Sequence, residues 1–361
     1  MLGEVNNGKK KVAFPWVNRY NIGVKYFVEH ALDAQYILQP PMTRRTLEMG
    51  EKNSPDFVCT PFKTTLGSMI DALEAGADTL IMTFGLCKLG YFGELQEQIL
   101  RDMGYRFDFI NMSQYSTGGV KGYFDAFRQV NSRLKPGRMV KAGLASMRMC
   151  DCLDDMEDRY YQNCGFEAER GAYRRVWNQF LQSMTLAENK KDIEKGYRRG
   201  VEGFGAIALN KPEQPLRVGL VGEYFTVMDA FSNLDLEQKL ADMGVEVHRW
   251  MNVSHRNLHY DGSNLEVQAR DYVKYEMSAT ATANVWYARK CGEKGYDGLI
   301  HVKSASCTPE MDLMPVLANI GADYKMPVLF LTFDSQTSDT GLATRLEAFF
   351  DMIQMRKQVL R

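Results

Sequence analysis

The 361-residue sequence lacks the features that mark several classes of protein. It holds no apolar run of the roughly 18 residues that suggest a membrane span. Residues 1–7 lack the apolar core of a secretion signal, so we expect a cytoplasmic protein. The formal net charge is only -1, which provides no global attraction for nucleic acid. We therefore expect neither a membrane nor a nucleic-acid partner.

Closely paired cysteines are also missing. The seven cysteines are odd in number and unevenly spread, which argues against a disulfide framework. Cys150 and Cys152 have the wrong spacing for a Cys-x-x-Cys metal or redox pair. No Gly-x-x-x-x-Gly-Lys-Ser/Thr loop occurs, so ATP hydrolysis by this chain is not supported. Free or metal-bound thiols are the better interpretation.

Apolar runs alternate with helical patterns in the first and last thirds of the chain, which predicts parallel sheets with helices on both faces. The middle has helical periodicity and many charges, with a possible strand at 140–145. A single long helix is expected over 265–293. The strands are predicted at 11–15, 36–38, 78–84, 105–110, 216–221, 245–247, 297–302 and 328–333.

We therefore predict an α/β protein with two Rossmann-like parallel-sheet domains joined by a helical region. The first α/β domain covers residues 1–119, the helical region 120–212 and the second α/β domain 213–361.

Three cysteines share a position in a short loop before a helix: Cys59, Cys87 and Cys307. Cys59 and Cys307 are each followed by Thr-Pro, and Pro suits the first helical position. Each thiol should lie at a helix N-terminus, whose positive field should lower its pKa. Cys87 and Cys307 follow predicted strands, and ligands gather at the carboxyl ends of such strands.

Our hypothesis is that Cys59, Cys87 and Cys307 together hold one iron–sulfur cluster, because thiolates are its usual ligands. Three ligands on four irons would leave one iron open for chemistry, by analogy with catalytic zinc. The plainer alternative is that each cysteine is a small buried hydrophobe. We assign that structural role to the remaining four, of which the first three are outside candidates as ligands: Cys150, Cys152, Cys164 and Cys291.

Four charged residues are further site candidates. Lys63 and Lys88 could bind a cluster sulfide or an anionic substrate, or could be helix surface cations. Glu310 lies in a helix first turn, where acids are favoured for capping alone, and is a candidate acid–base group. Glu223 follows a predicted strand, where site residues gather.

Several motifs, in this order, resemble the 2-hydroxyacyl-CoA dehydratase superfamily, and more closely its activase-related branch, which is related to the double-cubane cluster proteins. The match covers both α/β parts but not clearly the helical middle. Gly85-Leu86-Cys87-Lys88 stands where the branch often has Gly-Pro-Cys-Arg, which puts substrate identity in doubt. The motifs lie at residues 43–48, 59–63, 85–92, 222–224, 231–233, 307–310 and 344–349.

The resemblance implies two Rossmann-like domains and a dimer of identical or related subunits. It implies an iron–sulfur cluster, [4Fe-4S] or an [8Fe-9S] double cubane, with ligands carried over to Cys59, Cys87 and Cys307. It also implies a separate ATP-hydrolysing activase that supplies low-potential electrons for reduction of a small molecule. The alternatives are a 2-hydroxyacyl-CoA dehydratase subunit with a ketyl-radical mechanism, a non-catalytic electron relay or cluster-assembly scaffold, and an α/β binding protein with core cysteines.

Overall fold

The computed structural model describes residues 9–82, 91–275, 277 and 280–359, and within them the fold is α/β. Two four-stranded sheets have the orders β2-β1-β3-β4 and β6-β5-β7-β8, and all neighbouring strands are parallel. The predicted fold class is confirmed. The strands are β1 Lys11–Ala13, β2 Gln35–Tyr36, β3 Thr79–Met82, β4 Asp108–Asn111, β5 Leu216–Gly222, β6 Val245–Arg249, β7 Gly298–Ser304 and β8 Val328–Phe333.

Helices connect the strands and fill the middle of the chain. No helix in the described residues is both long enough and apolar enough to cross a membrane. The helices are α1 Asn21–Phe27, α2 Arg44–Asn53, α3 Thr60–Glu74, α4 Phe92–Asp102, α5 Gly119–Phe127, α6 Pro136–Asn163, α7 Ala172–Thr185, α8 Lys190–Gly205, α9 Tyr224–Met228, α10 Leu236–Asp242, α11 Gly262–Ala269, α12 Ala281–Glu293, α13 Thr308–Asp323 and α14 Asp339–Val359.

The chain divides into two compact units. Of the described residues, the first unit holds 9–58, 62–82 and 91–149, and the second holds 59–61 and 150–359. The predicted helical region is shared, since 120–149 cluster with the first unit and 150–212 with the second. The short segment 59–61, which contains Cys59, belongs to the second unit although most of α3 belongs to the first.

In the first unit, α3 supplies much of the buried apolar surface. Phe62, Leu66 and Met69 are fully buried, and their spacing of three to four residues places them on one helical stripe. α2 and α3 approach each other closely at Gly50. A Cβ on this residue would lie 1.8 Å from the carbonyl oxygen of Lys63, so no larger residue fits there. This close crossing fixes the course of α3.

In the second unit, the sheet is covered on both faces, so β7 is fully buried along its length. Its side chains alternate between faces, as the period of a strand requires. Leu299 packs in an apolar cluster with α12 and α13, whereas Ile300 and Val302 pack in another with α10 and α14. By the same alternation, the side chains of His301 and Lys303 lie on the face of the sheet that α12 and α13 cover.

Two predicted elements are wrong. Residues 140–145 lie inside α6 rather than in a strand. The single helix over 265–293 is replaced by α11 and α12, because the chain turns and packs α11 back on α12. Trp286 Nε1 and Arg289 Nη1 donate to the side chain and carbonyl of Gln268, at 2.9 and 2.7 Å, and these contacts outweigh the continuous helical pattern.

Gly222 ends β5 at a point where no side chain fits. Its φ is +156°, and an added Cβ would lie 2.0 Å from the carbonyl oxygen of Val302 in β7. Its N–H donates to Asn284 Oδ1 at 3.2 Å, and its carbonyl accepts from Asn284 Nδ2 at 3.0 Å. Gly222 therefore fixes the direction in which the chain leaves β5 and the position of the next residue, Glu223.

We predict that Gly222→Ala destabilises the protein by about 3 kcal/mol, because it combines a backbone clash with an unfavourable φ. Gly244→Ala is the matched control. It also has positive φ, +76°, but its Cβ would meet nothing within 4 Å, so it should cost only about 1 kcal/mol. Urea unfolding of both variants measures the difference, and equal losses would show that the approach to Val302 is not tight.

Candidate functional site

The candidate site lies at the carboxyl ends of β5 and β7. These strands are adjacent, but the chain leaves β5 towards β6 on one side and leaves β7 towards β8 on the other. Such a reversal of strand order is where ligands bind in open parallel sheets. Glu223 directly follows β5, and Cys307 follows β7 after a short turn. The topology thus brings two predicted site residues to one place.

Cys307 is the N-cap residue of α13, with Pro309 in the first turn, as predicted. The half-buried thiol accepts a hydrogen bond from the backbone N–H of Glu310. Cys59 directly precedes α3, which also confirms its predicted place at a helix N-terminus. The two sulfur atoms are near enough for the charge of one to raise the pKa of the other.

A hydrogen bond joins the Cys59 segment to the end of β7. The backbone N–H of Thr60 donates to Ser304 Oγ at 3.0 Å, and Ser304 itself is fully buried. Cys59 and Cys307 are therefore held side by side within the second unit. Cys87 and Lys88, the other predicted residues of this kind, lie outside the described residues.

The expectation that the Cys307 thiol has a lowered pKa is wrong. Burial raises its pKa, the nearby carboxylates of Glu223 and Glu310 raise it further, and Cys59 adds to the effect. The hydrogen bond from the Glu310 N–H lowers the pKa but does not offset these causes. Desolvation and like charges thus exceed the field of the helix N-terminus. Without a metal ion, Cys307 is a protonated thiol at neutral pH.

Glu223 is held rigidly by its own helix start. Its carboxylate accepts from the backbone N–H groups of Phe225 and Thr226 at 2.9 and 2.8 Å and from Thr226 Oγ1 at 2.6 Å. Burial raises the pKa of Glu223, these hydrogen bonds lower it, and the charge of Glu310 raises it. Capping therefore accounts for its position, while its raised pKa suits a group that exchanges protons at the site.

Glu310 is fully buried in a polar cluster that sequence reasoning did not foresee. One carboxylate oxygen accepts from Thr280 Oγ1 at 2.6 Å, and both oxygens lie 3.2 Å from Asn284 Nδ2. The other oxygen lies 2.8 Å from Nε2 of His301, which is also fully buried. These partners fix the carboxylate, so Glu310 does more than cap α13.

His301 leaves one nitrogen unsatisfied. Its Nδ1 is buried and has no hydrogen-bond partner among the described residues. With Nε2 donating to Glu310, the unpaired Nδ1 is an acceptor rather than a buried N–H. Such an atom is a place for an ordered water or a proton. His301 and Glu310 therefore form a buried hydrogen-bonded pair, and the carboxylate of this pair lies near Cys307.

Lys303 lies two residues beyond His301 on the same face of β7, and sequence reasoning missed it as well. Only 5% of the residue is exposed. Burial lowers the pKa of its ammonium group, while the charges of Cys307 and Glu310 raise it. The available signal was the pattern of β7, in which His301 and Lys303 occupy alternate positions of an otherwise apolar buried strand.

The remaining predicted residues lie elsewhere. Lys63 Nζ is 3.6 Å from Glu51 Oε1 in the first unit, and only 19% of the Lys63 side chain is exposed. Its role at the site stays a prediction. The other described cysteines are buried, and burial raises the pKa of Cys164 and Cys291 to about 12, as expected of structural thiols.

The donor set fits an iron–sulfur cluster in part. Two thiols meet at the N-termini of two long helices, and such termini offset negative charge. Among the described residues no group of three or more His, Cys, Asp or Glu side chains could hold a metal ion. The third predicted thiol, Cys87, lies outside that set. The described residues therefore provide two of the three proposed ligands.

Comparison with known proteins adds no relative. The chain matches no protein-family model and no curated protein sequence.

We predict that Glu223→Gln accelerates alkylation of the Cys307 thiol in metal-free protein. Removing the carboxylate charge lowers the thiol pKa, so more thiolate is present at any pH below it. At pH 8 the rate with iodoacetamide should rise about threefold or more. Peptide mass spectrometry measures the rate at this residue. Glu213→Gln is the charge-matched control, and an unchanged rate in Glu223→Gln would contradict the assigned electrostatics.

Proposed function

We propose that this chain is an iron–sulfur enzyme component whose cluster is held by Cys59, Cys87 and Cys307. The observation that carries the proposal is the meeting of Cys59 and Cys307, which are distant in sequence, at the switch point of the second sheet. If Cys59 and Cys307 were only core residues, nothing would require them to lie at helix N-termini and beside the end of a strand. The motif resemblance supplies the third ligand and the class of cofactor.

The surrounding residues suit thiolate ligation. Because the pKa of Cys307 is raised, metal binding must displace its proton, and metal affinity should fall as pH falls. The N-termini of α3 and α13 and the Lys303 ammonium offset the negative charge of thiolate ligands. The carboxyl groups of Glu223 and Glu310 lie near Cys307. A bound cluster would supply single electrons for the reduction of a small molecule.

The proposed electron source is a separate ATP-dependent activase, and the proposed assembly is a homodimer or a dimer with a related subunit. The rival activities within the same resemblance are a 2-hydroxyacyl-CoA dehydratase subunit and a non-catalytic relay or scaffold. Turnover of a small-molecule substrate or of a 2-hydroxyacyl-CoA, with activase and ATP, would distinguish these three.

We predict that Cys59→Ser, Cys87→Ser and Cys307→Ser each lose most of the iron, acid-labile sulfide and brown colour of anaerobically purified protein. Each removes one of three ligands, and a serine hydroxyl is a poor substitute for a thiolate. Cys291→Ala is the control, because this thiol is buried among apolar residues of α12, α13 and β7 and should leave iron content unchanged.

Iron and sulfide analysis with anaerobic absorption spectra measures the loss. Full iron content in any one of the three serine variants would remove that residue from the ligand set. Absence of iron from the unaltered protein, even after anaerobic reconstitution with iron and sulfide, would refute the proposal as a whole.

A further inference from the structure

The first half of α6 exposes a row of apolar side chains. Val140, Leu144 and Met147 are 47%, 62% and 49% exposed, and their spacing of four and three residues places them on one face of the helix. The opposite face of the same turns is buried and includes Met139 and Met149. Single exposed apolar residues are ordinary, whereas a contiguous row of them marks an interaction surface. The row is therefore left over from the packing of α6.

The charges around this row have one sign. Residues 126–149 contain six basic residues and no acidic residue, although the formal net charge of the whole chain is -1. Lys141 and Arg148 are two helical turns apart, so they lie on one edge of the row, on either side of Leu144. The six basic residues are Arg128, Arg133, Lys135, Arg138, Lys141 and Arg148.

One of these cations already has partners within the first unit. Arg138 Nε donates to the carbonyl oxygen of His30, and Arg138 Nη2 lies 3.8 Å from Asp33 Oδ1. We therefore assign no binding role to Arg138. We call the surface formed by Val140, Lys141, Leu144, Met147 and Arg148 the α6 face. It joins an apolar centre to a basic edge, which is the pattern of a helix face that binds an acidic partner.

From this pattern we infer that the α6 face binds an acidic amphipathic helix of a partner protein. Its apolar side chains stand at the i, i+4 and i+7 positions through which helices dock on apolar surfaces. The cations on its edge favour a partner that carries carboxylates at the matching edge, because complementary charge decides partner choice. The inference goes beyond the proposed enzyme activity and involves none of the proposed cluster ligands.

Two other occupants fit the α6 face less well. A second copy of the same face would bring Lys141 and Arg148 towards like charges, which repel. A helix that binds a membrane surface carries Trp, Phe and Leu on its apolar side. The row on α6 has one Leu and no aromatic residue. An acidic protein helix therefore agrees best with both the charge and the side chains.

The test uses a synthetic helical peptide as a probe. It consists of Leu, Ala, Gln and Glu, with leucines three and four residues apart, glutamates beside them and an acetylated N-terminus. Fluorescence anisotropy of a labelled form should show saturable binding to the intact chain, and this binding should weaken as salt screens the charges. The same peptide with Gln in place of every Glu should bind at least about tenfold more weakly.

Two variants locate the binding on α6. Leu144→Gln should weaken binding at least about tenfold, because apolar residues at the centre of an interface contribute most of its affinity. Leu186→Gln is the control, since Leu186 is an equally exposed leucine at the end of α7 in the second unit. Lys141→Gln should weaken binding about threefold and reduce its salt dependence. Lys121→Gln is the control for charge, because Lys121 pairs with Asp125 on α5.

A second measurement uses the unaltered protein and so avoids any effect of substitution on folding. Acylation of Lys141, followed by mass spectrometry of its tryptic peptides, should slow when the unlabelled acidic peptide is present. The peptide with Gln in place of Glu should not slow it. The acidic peptide has no amine, so it does not consume the acylating reagent.

Several outcomes would overturn the inference. These are no saturable binding of the acidic peptide, unchanged affinity in Leu144→Gln, and acylation of Lys141 that the acidic peptide does not slow. Binding of phosphatidylserine vesicles without binding of the peptide would assign the α6 face to a membrane surface instead. Dissociation of a dimer by Leu144→Gln, measured by sedimentation velocity, would assign it to a second copy of this chain.

Discussion

The carboxylate of Glu310 is the contact on which the second unit's site depends. It accepts hydrogen bonds from the start of α12 and from β7, while its own backbone N–H donates to the Cys307 sulfur. Removing one partner of a buried charge costs about 3–5 kcal/mol, because the other partners remain buried and unpaired. One side chain therefore fixes the relative positions of β7, α12 and α13, and with them the thiol.

The same carboxylate that positions Cys307 also opposes its ionisation. A helix N-terminus lowers a thiol pKa when the thiol is exposed and no acid is near. Here burial, Glu223 and Glu310 act in the opposite direction and prevail. The site is thus unsuited to a free thiolate nucleophile. It suits a thiolate formed only when a positive charge arrives, which is the behaviour of a metal ligand.

Much of the fold was predictable because its signals are local. A short apolar run between glycines marks β3, a second one that ends at Gly222 marks β5, and Cys-Thr-Pro marks the starts of α3 and α13. The break between α11 and α12 was not predictable, because contacts of Gln268 with Trp286 and Arg289 outweigh a continuous helical pattern. Periodicity alone cannot show a chain turning back on itself.

The site was predictable only in part, for a related reason. Cys59, Cys307 and Glu223 were recognised because each stands next to the start or end of an element. His301 and Lys303 lie within β7, where a polar side chain could equally face solvent. Only the burial of both faces of this strand shows that they are enclosed.

The polar residues of β7 have different kinds of partners. Ser304 accepts from Thr60, and His301 pairs with Glu310, so both have partners that order the protein. A well-packed hydrophobic pair often replaces a buried polar pair at no cost in stability. Satisfied contacts alone therefore do not reveal a ligand. Lys303 differs from both, because burial lowers the pKa of its ammonium group while the charges of Cys307 and Glu310 raise it.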